Sequence, residues 1–476
     1  MQNGRVTIWK NSLFILFSQI IRLVTILIIS VGIARLYGPV AFGQFSIAFT
    51  IANICLVIAD FGFDVLLTTE ISKHRSKADI LSRKYFSIKI IFTIISLLIM
   101  VLLPFFQTFS ADSRALIYTL TFYVVFSTFT NFFYAVFRGF EKFEYETKIS
   151  FISNSALLIF LGIFGFLKTP LVLLMILFIA ARFLGVVLSV IKSTSLIGSS
   201  IVKIDFSGWK NIINQILVFG IHFIFGNLFF QLDTILLGLW KGDHAAGIYR
   251  SAFNLMILVL LIPDIIISTF LPVLSRLHIE NIEKWKSLSR LLYKILLFIS
   301  LPIALVFFFF SEQIISIIYG AELYSEAIPV LKIFSIIVII RFVGEPYALM
   351  ITTSKRQHIR MIIVIIATVI SISLNYFVIP IYGIVGAALI SLGVNFIVGA
   401  GYILAGRNNS LQWFVEARII IVLLTVLFLA LFLSYINAKI IILVIFVIAY
   451  LFMAYFIGFS SKDREMILTE FAIKRG

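Results

Sequence analysis

The chemically informative residues of this chain are ionisable side chains set inside long apolar runs. Arg22, Arg182, Arg250, Lys332 and Arg341 bring positive charge into such runs; Asp60, Asp64, Asp233, Asp264 and Glu345 bring negative charge. At bilayer depth each costs at least ~2.5–3.5 kcal/mol, so each must face a cavity or a partner. A guanidinium presents a fork of donors that takes phosphate or carboxylate oxygens two at a time, which suits the basic set to an anionic ligand. Arg22 lies about 18 Å of helix beyond Lys10, too deep to snorkel comfortably to the membrane face. Two readings stand for it, ligand binding or a buried ion pair. Arg182 and Arg250 can bind the same ligand or reach an interface. Arg341 and Glu345 are one turn apart and can neutralise each other. The acidic set suits binding of H⁺ or Na⁺, or pairing with a nearby Arg. Lys89 and Arg418 lie close to the cytoplasmic ends of their runs and read as snorkelling residues.

The elements that must carry these residues are membrane helices. In 476 residues, 61% are hydrophobic and only 13% are charged, a balance that excludes a soluble enzyme. Apolar runs long enough to cross ~30 Å of hydrocarbon lie near 12–34, 42–68, 85–107, 115–137, 149–167, 170–191, 211–240, 246–275, 291–310, 327–353, 361–380, 382–405, 413–434 and 440–459. The chain therefore reads as all-α with about fourteen transmembrane helices and no inserted soluble domain. No cleavable signal peptide is read at the N-terminus. Among loop residues, Arg35, Arg114, Lys168, Lys241 and Lys439 alone fall on one side, while clusters such as Lys73, Arg75, Lys77, Arg83 and Lys84 fall on the other. By the positive-inside rule both termini are cytoplasmic, and the net charge of +16 is topological rather than a nucleic-acid footprint. The single cysteine, Cys55, excludes an internal disulfide and reads as packing. The basic amphipathic stretches 70–84 and 276–290 read as interfacial.

The chain also repeats itself. Trp9-Lys10-Asn11 recurs as Trp209-Lys210-Asn211, which places His222 opposite Arg22; His222 reads as a core histidine or a proton relay. Gly43, Ala48, Phe49 and Asp60 recur as Gly247, Ala252, Phe253 and Asp264. Two six-helix bundles of the same orientation follow, 1–204 and 205–408, with 409–476 holding two further helices and a cytoplasmic tail.

Leu36-Tyr37-Gly38-Pro39 with Phe42-Gly43-Gln44-Phe45, Asp60-Phe61-Gly62, Arg138-Gly139-Phe140, Asp233 with Leu237-Gly238, Gly247-Ile248-Tyr249, Leu271-Pro272 with Leu274-Ser275-Arg276, and Asn375 with Pro380, Tyr382-Gly383 and Gly386-Ala387-Ala388 give the chain a resemblance over nearly its whole length. It resembles the polysaccharide exporter and O-antigen flippases of the multidrug/oligosaccharidyl-lipid/polysaccharide superfamily. The resemblance implies alternating access around a central cavity, a bacterial inner membrane and a polyprenyl-diphosphate-linked oligosaccharide as substrate. Membrane lipids and polysaccharide polymerase machinery are the further partners it suggests. On that reading Arg22, Arg182, Arg250, Lys332 and Arg341 contact substrate, and Asp60, Asp264, Asp233 and Glu345 serve ion coupling.

Three other classes are weighed against this. A membrane glycosyltransferase or polymerase requires a sizeable outer loop, which the chain lacks. A cation-coupled multidrug antiporter favours an acidic, aromatic cavity. A peptidoglycan lipid-precursor flippase shares the two extra C-terminal helices. No nucleotide-binding loop occurs and no cofactor or metal is implied, leaving ion gradients, membrane potential or the substrate's own gradient as drive.

Overall fold

In the computed structural model the described residues are 2–167, 169–198, 203–406, 416–436 and 449–471. They form helices α1 (Gln2–Asp60), α2 (Phe63–Lys73), α3 (Ala78–Phe106), α4 (Ala111–Gly139), α5 (Phe143–Phe166), α6 (Leu171–Ile197), α7 (Trp209–Glu280), α8 (Ile282–Phe309), α9 (Ser311–Tyr319), α10 (Ala321–Tyr324), α11 (Ala327–Thr353), α12 (Gln357–Ala405), α13 (Ala417–Ile436) and, after a π turn at Ala454–Gly458, α14 (Ser461–Phe471). Among the described residues every element is helical, the form that satisfies each backbone polar group within its own segment where water is absent.

Nine of these helical stretches are long and apolar enough to cross a membrane, and two shorter apolar pieces, Ala417–Val426 and Ala449–Gly458, accompany them. The expectation of about fourteen crossings includes residues 437–448, which lie outside the described set. Three stretches are too long for one passage. The 57-residue run Phe17–Lys73 would extend about 85 Å as a straight helix, nearly three times the hydrocarbon thickness. Glycines break all three: Gly38 in α1 (φ 80°, ψ 179°), Gly242 in α7 (φ 82°, ψ 177°) and Gly383 in α12 (φ 57°, ψ −137°). Only glycine adopts such backbone without strain, and Pro39 directly after Gly38 suits the first position of a new helix. The breaks at Gly38 and Gly242 fall between expected spans, whereas Gly383 lies just inside the expected run 382–405, so that helix begins slightly later than its apolar run.

Packing divides the chain into two compact units, Met1–Arg250 and Ser251–Gly476, with the boundary inside α7. In the first, α1 packs on α3, α4 and α5, and α6 lies against α4 and α5. A core of Phe63, Leu67, Tyr85, Ile88, Phe132 and Phe133 ties α2 to α3 and α4. In the second, α11 packs against α8 and α12. Large apolar side chains such as Phe105, Phe166 and Phe377 face outward, as a lipid-bathed surface requires.

The segments beginning at Pro39 and Asp243 touch at their glycines. A Cβ on Gly43 would sit 1.7 Å from the Asp243 carbonyl oxygen, and one on Gly247 would sit 2.1 Å from that of Pro39. The two contacts are reciprocal, and no side chain fits at either point. Asp243 fixes this end of the unit further, accepting hydrogen bonds from Ser110 Oγ (2.6 Å) and Ser113 Oγ (2.8 Å).

Candidate anion-binding cavity in the first unit

A cavity of about 590 Å³ opens within the first unit. Four guanidinium groups reach its wall, Arg22 from α1, Arg138 from α4, Arg182 from α6 and Arg250 from α7, against two carboxylates, Asp60 and Asp64. The structure thus brings together four of the residues singled out as site candidates, Arg22, Arg182, Arg250 and Asp60. Tyr123, Ser127, Thr130 and Asn131 add hydroxyl and amide groups to the same wall.

Behind two of the arginines lies Glu146, in the first turn of α5 and 2% exposed. Arg138 binds it with both prongs of its fork, Nε to Oε2 at 2.7 Å and Nη2 to Oε1 at 2.6 Å. Arg22 Nη1 joins Oε1 at 3.1 Å and Ser18 Oγ donates to the same oxygen at 3.3 Å. Both arginines keep about a third of their side-chain surface open, 30% for Arg22 and 35% for Arg138. The two alternatives for Arg22 are therefore not exclusive, because it is ion-paired on one side and lines a cavity on the other. Sequence reasoning missed Glu146, which lies just before the apolar run at 149. The available signal was Arg138 and Glu146 flanking one tight turn, so that two antiparallel helix ends bring them side by side.

The second cluster has the inverse composition. α1 ends at Asp60, Phe61 and Gly62 take left-handed backbone, and α2 starts at Phe63. Asp60 Oδ1 accepts the Asp64 N–H at 3.2 Å, satisfying one of the free backbone donors in the first turn of the new helix. Lys89 Nζ donates to Asp60 Oδ1 at 3.2 Å and also binds Asp64. Lys89 is wholly buried, which corrects its reading as a snorkelling residue. That reading started its helix at residue 85; α3 begins at Ala78, placing Lys89 about 16 Å from the helix start, in reach of two acids and not of the membrane face.

Arg182 donates from Nη2 to Asn154 Oδ1 at 3.4 Å, and its guanidinium lies 5.8 Å from the Tyr123 ring centre and 5.5 Å from that of Phe178. Asp233 is buried away from the cavity wall and accepts the Tyr249 hydroxyl at 2.7 Å. The side chain of His222 lies outside the described ones.

The remaining candidates belong to the second unit. Arg341 pairs with Glu345 at 3.2 Å on one face of α11, and Arg360 approaches the same carboxylate at 3.9 Å. Lys332 is exposed, 5.8 Å from the Phe308 ring centre, and Asp264 is exposed on α7. Arg418 is exposed in the first turn of α13 and donates to the Phe459 carbonyl at 3.2 Å. Among the described residues, no group of three His, Cys, Asp or Glu is arranged to hold a metal ion.

Comparison with solved structures shows the fold of the MOP-superfamily transporters. The lipid II flippase MurJ, in an inward closed conformation, matches with a TM-score of 0.74 at 16% identity, over 96% of this chain and 99% of that one. An inward-facing multidrug resistance MATE family transporter of the MOP superfamily matches with 0.66 at 14% identity, over 83% and 95%. A MOP superfamily transporter from Pyrococcus furiosus, whose binding pocket is described as having reverse polarity, matches with 0.61 at 15% identity, over 86% and 96%. These relatives are transporters and flippases, not enzymes. No curated protein sequence matches the chain. The MatE family model matches residues 219–377. The model described as polysaccharide biosynthesis protein matches residues 8–278, more than half of the sequence, and the chain belongs to that family.

Proposed function

We propose that the chain is a flippase that carries a polyprenyl-diphosphate-linked oligosaccharide repeat unit from the cytoplasmic to the periplasmic leaflet of a bacterial inner membrane by alternating access. The observation that carries this reading is the cavity wall, where four guanidinium groups face two carboxylates. A diphosphate presents several anionic oxygens to such forks, and in low dielectric the attraction far exceeds its value in water. Arg22, Arg138, Arg182 and Arg250 are its proposed holders, with Lys332 and Arg341 of the second unit as further contacts. An organic cation would meet this basic wall unfavourably, which disfavours the multidrug antiporter. A peptidoglycan lipid-precursor flippase is the second reading, favoured by the likeness to MurJ over nearly the full length of both chains.

Asp60 is the proposed site of coupling to H⁺ or Na⁺, with Asp264, Asp233 and Glu345 as further candidates. The proposed architecture is two six-helix bundles of the same orientation, 1–204 and 205–408, followed by 409–476, with both termini cytoplasmic. It is supported by the matching backbone of Gly38 and Gly242 and by the reciprocal contacts at Gly43 and Gly247. Polysaccharide polymerase machinery is the proposed neighbour that receives the flipped unit.

The purified protein in proteoliposomes tests the reading. Flipping of a polyprenyl-diphosphate oligosaccharide, followed by its exposure to a membrane-impermeant lectin, is expected, with no uptake of a cationic dye. Dye transport without lipid flipping would replace the flippase by the antiporter, and flipping only of a peptidoglycan precursor would select the second reading.

A further inference from the structure

We propose that Glu146 is a resident counter-anion, which occupies the arginine site while the cavity is empty and yields part of it to the substrate's diphosphate. The inference rests on the flippase reading and gives a positioning role to a residue outside the cavity wall. Arg138 grips Glu146 in the bidentate mode by which a guanidinium grips a phosphate, so the carboxylate stands in for an anion's edge. Glu146 Oε1 accepts three donors, Ser18, Arg22 and Arg138, more than the two lone pairs of one oxygen serve well. Of the two arginines Arg22 is the less firmly held, by one bond at 3.1 Å against the two shorter bonds of Arg138.

An anion entering the cavity therefore takes Arg22 by a side-chain rotation, while Arg138 stays anchored and offers its remaining Nη1. The negative charge of Glu146 behind both arginines keeps them oriented between cycles. It also holds down the affinity for the anion, so that the diphosphate leaves once the cavity opens on the other side. Glu146 thus trades tightness of binding for turnover.

The test uses the full chain with inorganic pyrophosphate as the probe in calorimetry, alongside lipid flipping in proteoliposomes. Glu146→Gln keeps the shape and one acceptor oxygen but removes the charge. It is expected to bind pyrophosphate about tenfold more tightly, the scale set by one unit charge a few ångströms away across a cavity open to water, where screening approaches the bulk value, and to flip lipid with both KM and kcat reduced. Glu146→Asp keeps the charge but pulls it back from Arg22, and is expected to lie between wild type and Glu146→Gln in both affinity and turnover. A folded Glu146→Gln protein with unchanged or weaker pyrophosphate binding overturns the proposal. If Glu146→Gln does not fold, Glu146→Asp decides, and an affinity equal to or below that of wild type overturns it. The flippase reading fails separately, if wild type binds no pyrophosphate and Arg22→Ala flips lipid normally.

Discussion

The two ion clusters beside the cavity are built from the same chemistry in opposite proportion. Around Glu146 two guanidinium groups share one carboxylate; around Lys89 two carboxylates share one ammonium. The first leaves a formal positive excess towards the cavity and the second a negative one. Burial differs as well, since Arg22 and Arg138 stay partly open whereas Lys89 is sealed. One wall can therefore offer separate places to an anionic group and to a small cation, and removing the central residue should cost more stability around Lys89, whose partners Asp60 and Asp64 are more enclosed than Arg22 and Arg138.

The largest effect is expected at Lys89. Lys89→Met strands two carboxylates and should cost about 3–5 kcal/mol, read by thermal unfolding in detergent, because a buried charge without its partner is strongly unfavourable. Adding Asp64→Asn should recover a large part of that loss, and a double variant no more stable than the single one would break the assignment of the cluster as a mutually neutralising unit.

Next in size, Arg138→Ala should cost about 2 kcal/mol, since it removes both bonds of the fork, while Arg22→Ala should cost about 1 kcal/mol for one bond from a partly open side chain. Equal losses would contradict the inequality of the two arginines.

Asp60→Asn should leave the fold nearly intact, since Asp64 still holds Lys89, yet make flipping insensitive to imposed pH or Na⁺ gradients. Cation loading of Asp60 on a wall that also carries arginines would alter which carboxylate–guanidinium pairs form and so favour one access state. If Asp60→Asn and Asp264→Asn each leave gradient dependence untouched at equal protein levels, the coupling role of these residues is lost.

A third cluster provides a control and the smallest effect. In the second unit Lys294, 1% exposed, binds Asp463 at 2.7 Å and Glu416 at 3.0 Å, again one lysine between two acids. Burial works to raise the Asp463 carboxyl, but the hydrogen bonds from Lys294 and Ser460 outweigh it, so the group lies below the usual carboxylate value. A depressed carboxyl stabilises the fold above its unfolded value of about 4 and loses that contribution as the pH falls through the folded value. Wild type should therefore lose slightly more stability than Asp463→Asn on acidification below about pH 4, with gradient dependence of flipping unaltered.

The spans were legible because apolar length alone dictates a membrane helix, and the breaks because Gly38-Pro39 and Gly242 sit between the runs. Arg22, Arg182, Arg250 and Asp60 were legible because an ionisable residue in an apolar run has few reasons to be there. Lys89, Arg138 and Glu146 were not, for a shared physical reason. Helices such as α3 and α5 extend beyond their apolar runs, so charges that read as terminal lie inside packed bundles. Which partner each charge meets depends on how helix ends are brought together, and spacing along one helix does not carry that.

The central claim is that the arginine wall holds the anionic head of a lipid-linked substrate during transport. Its most direct test is flipping of a polyprenyl-diphosphate oligosaccharide in proteoliposomes by wild type, Arg22→Lys and Arg22→Ala at equal protein levels. Charge and the bidentate fork should both count, so Arg22→Ala is expected to abolish flipping and Arg22→Lys to recover only part of it. Flipping at the wild-type rate by a stably folded Arg22→Ala protein would contradict the claim.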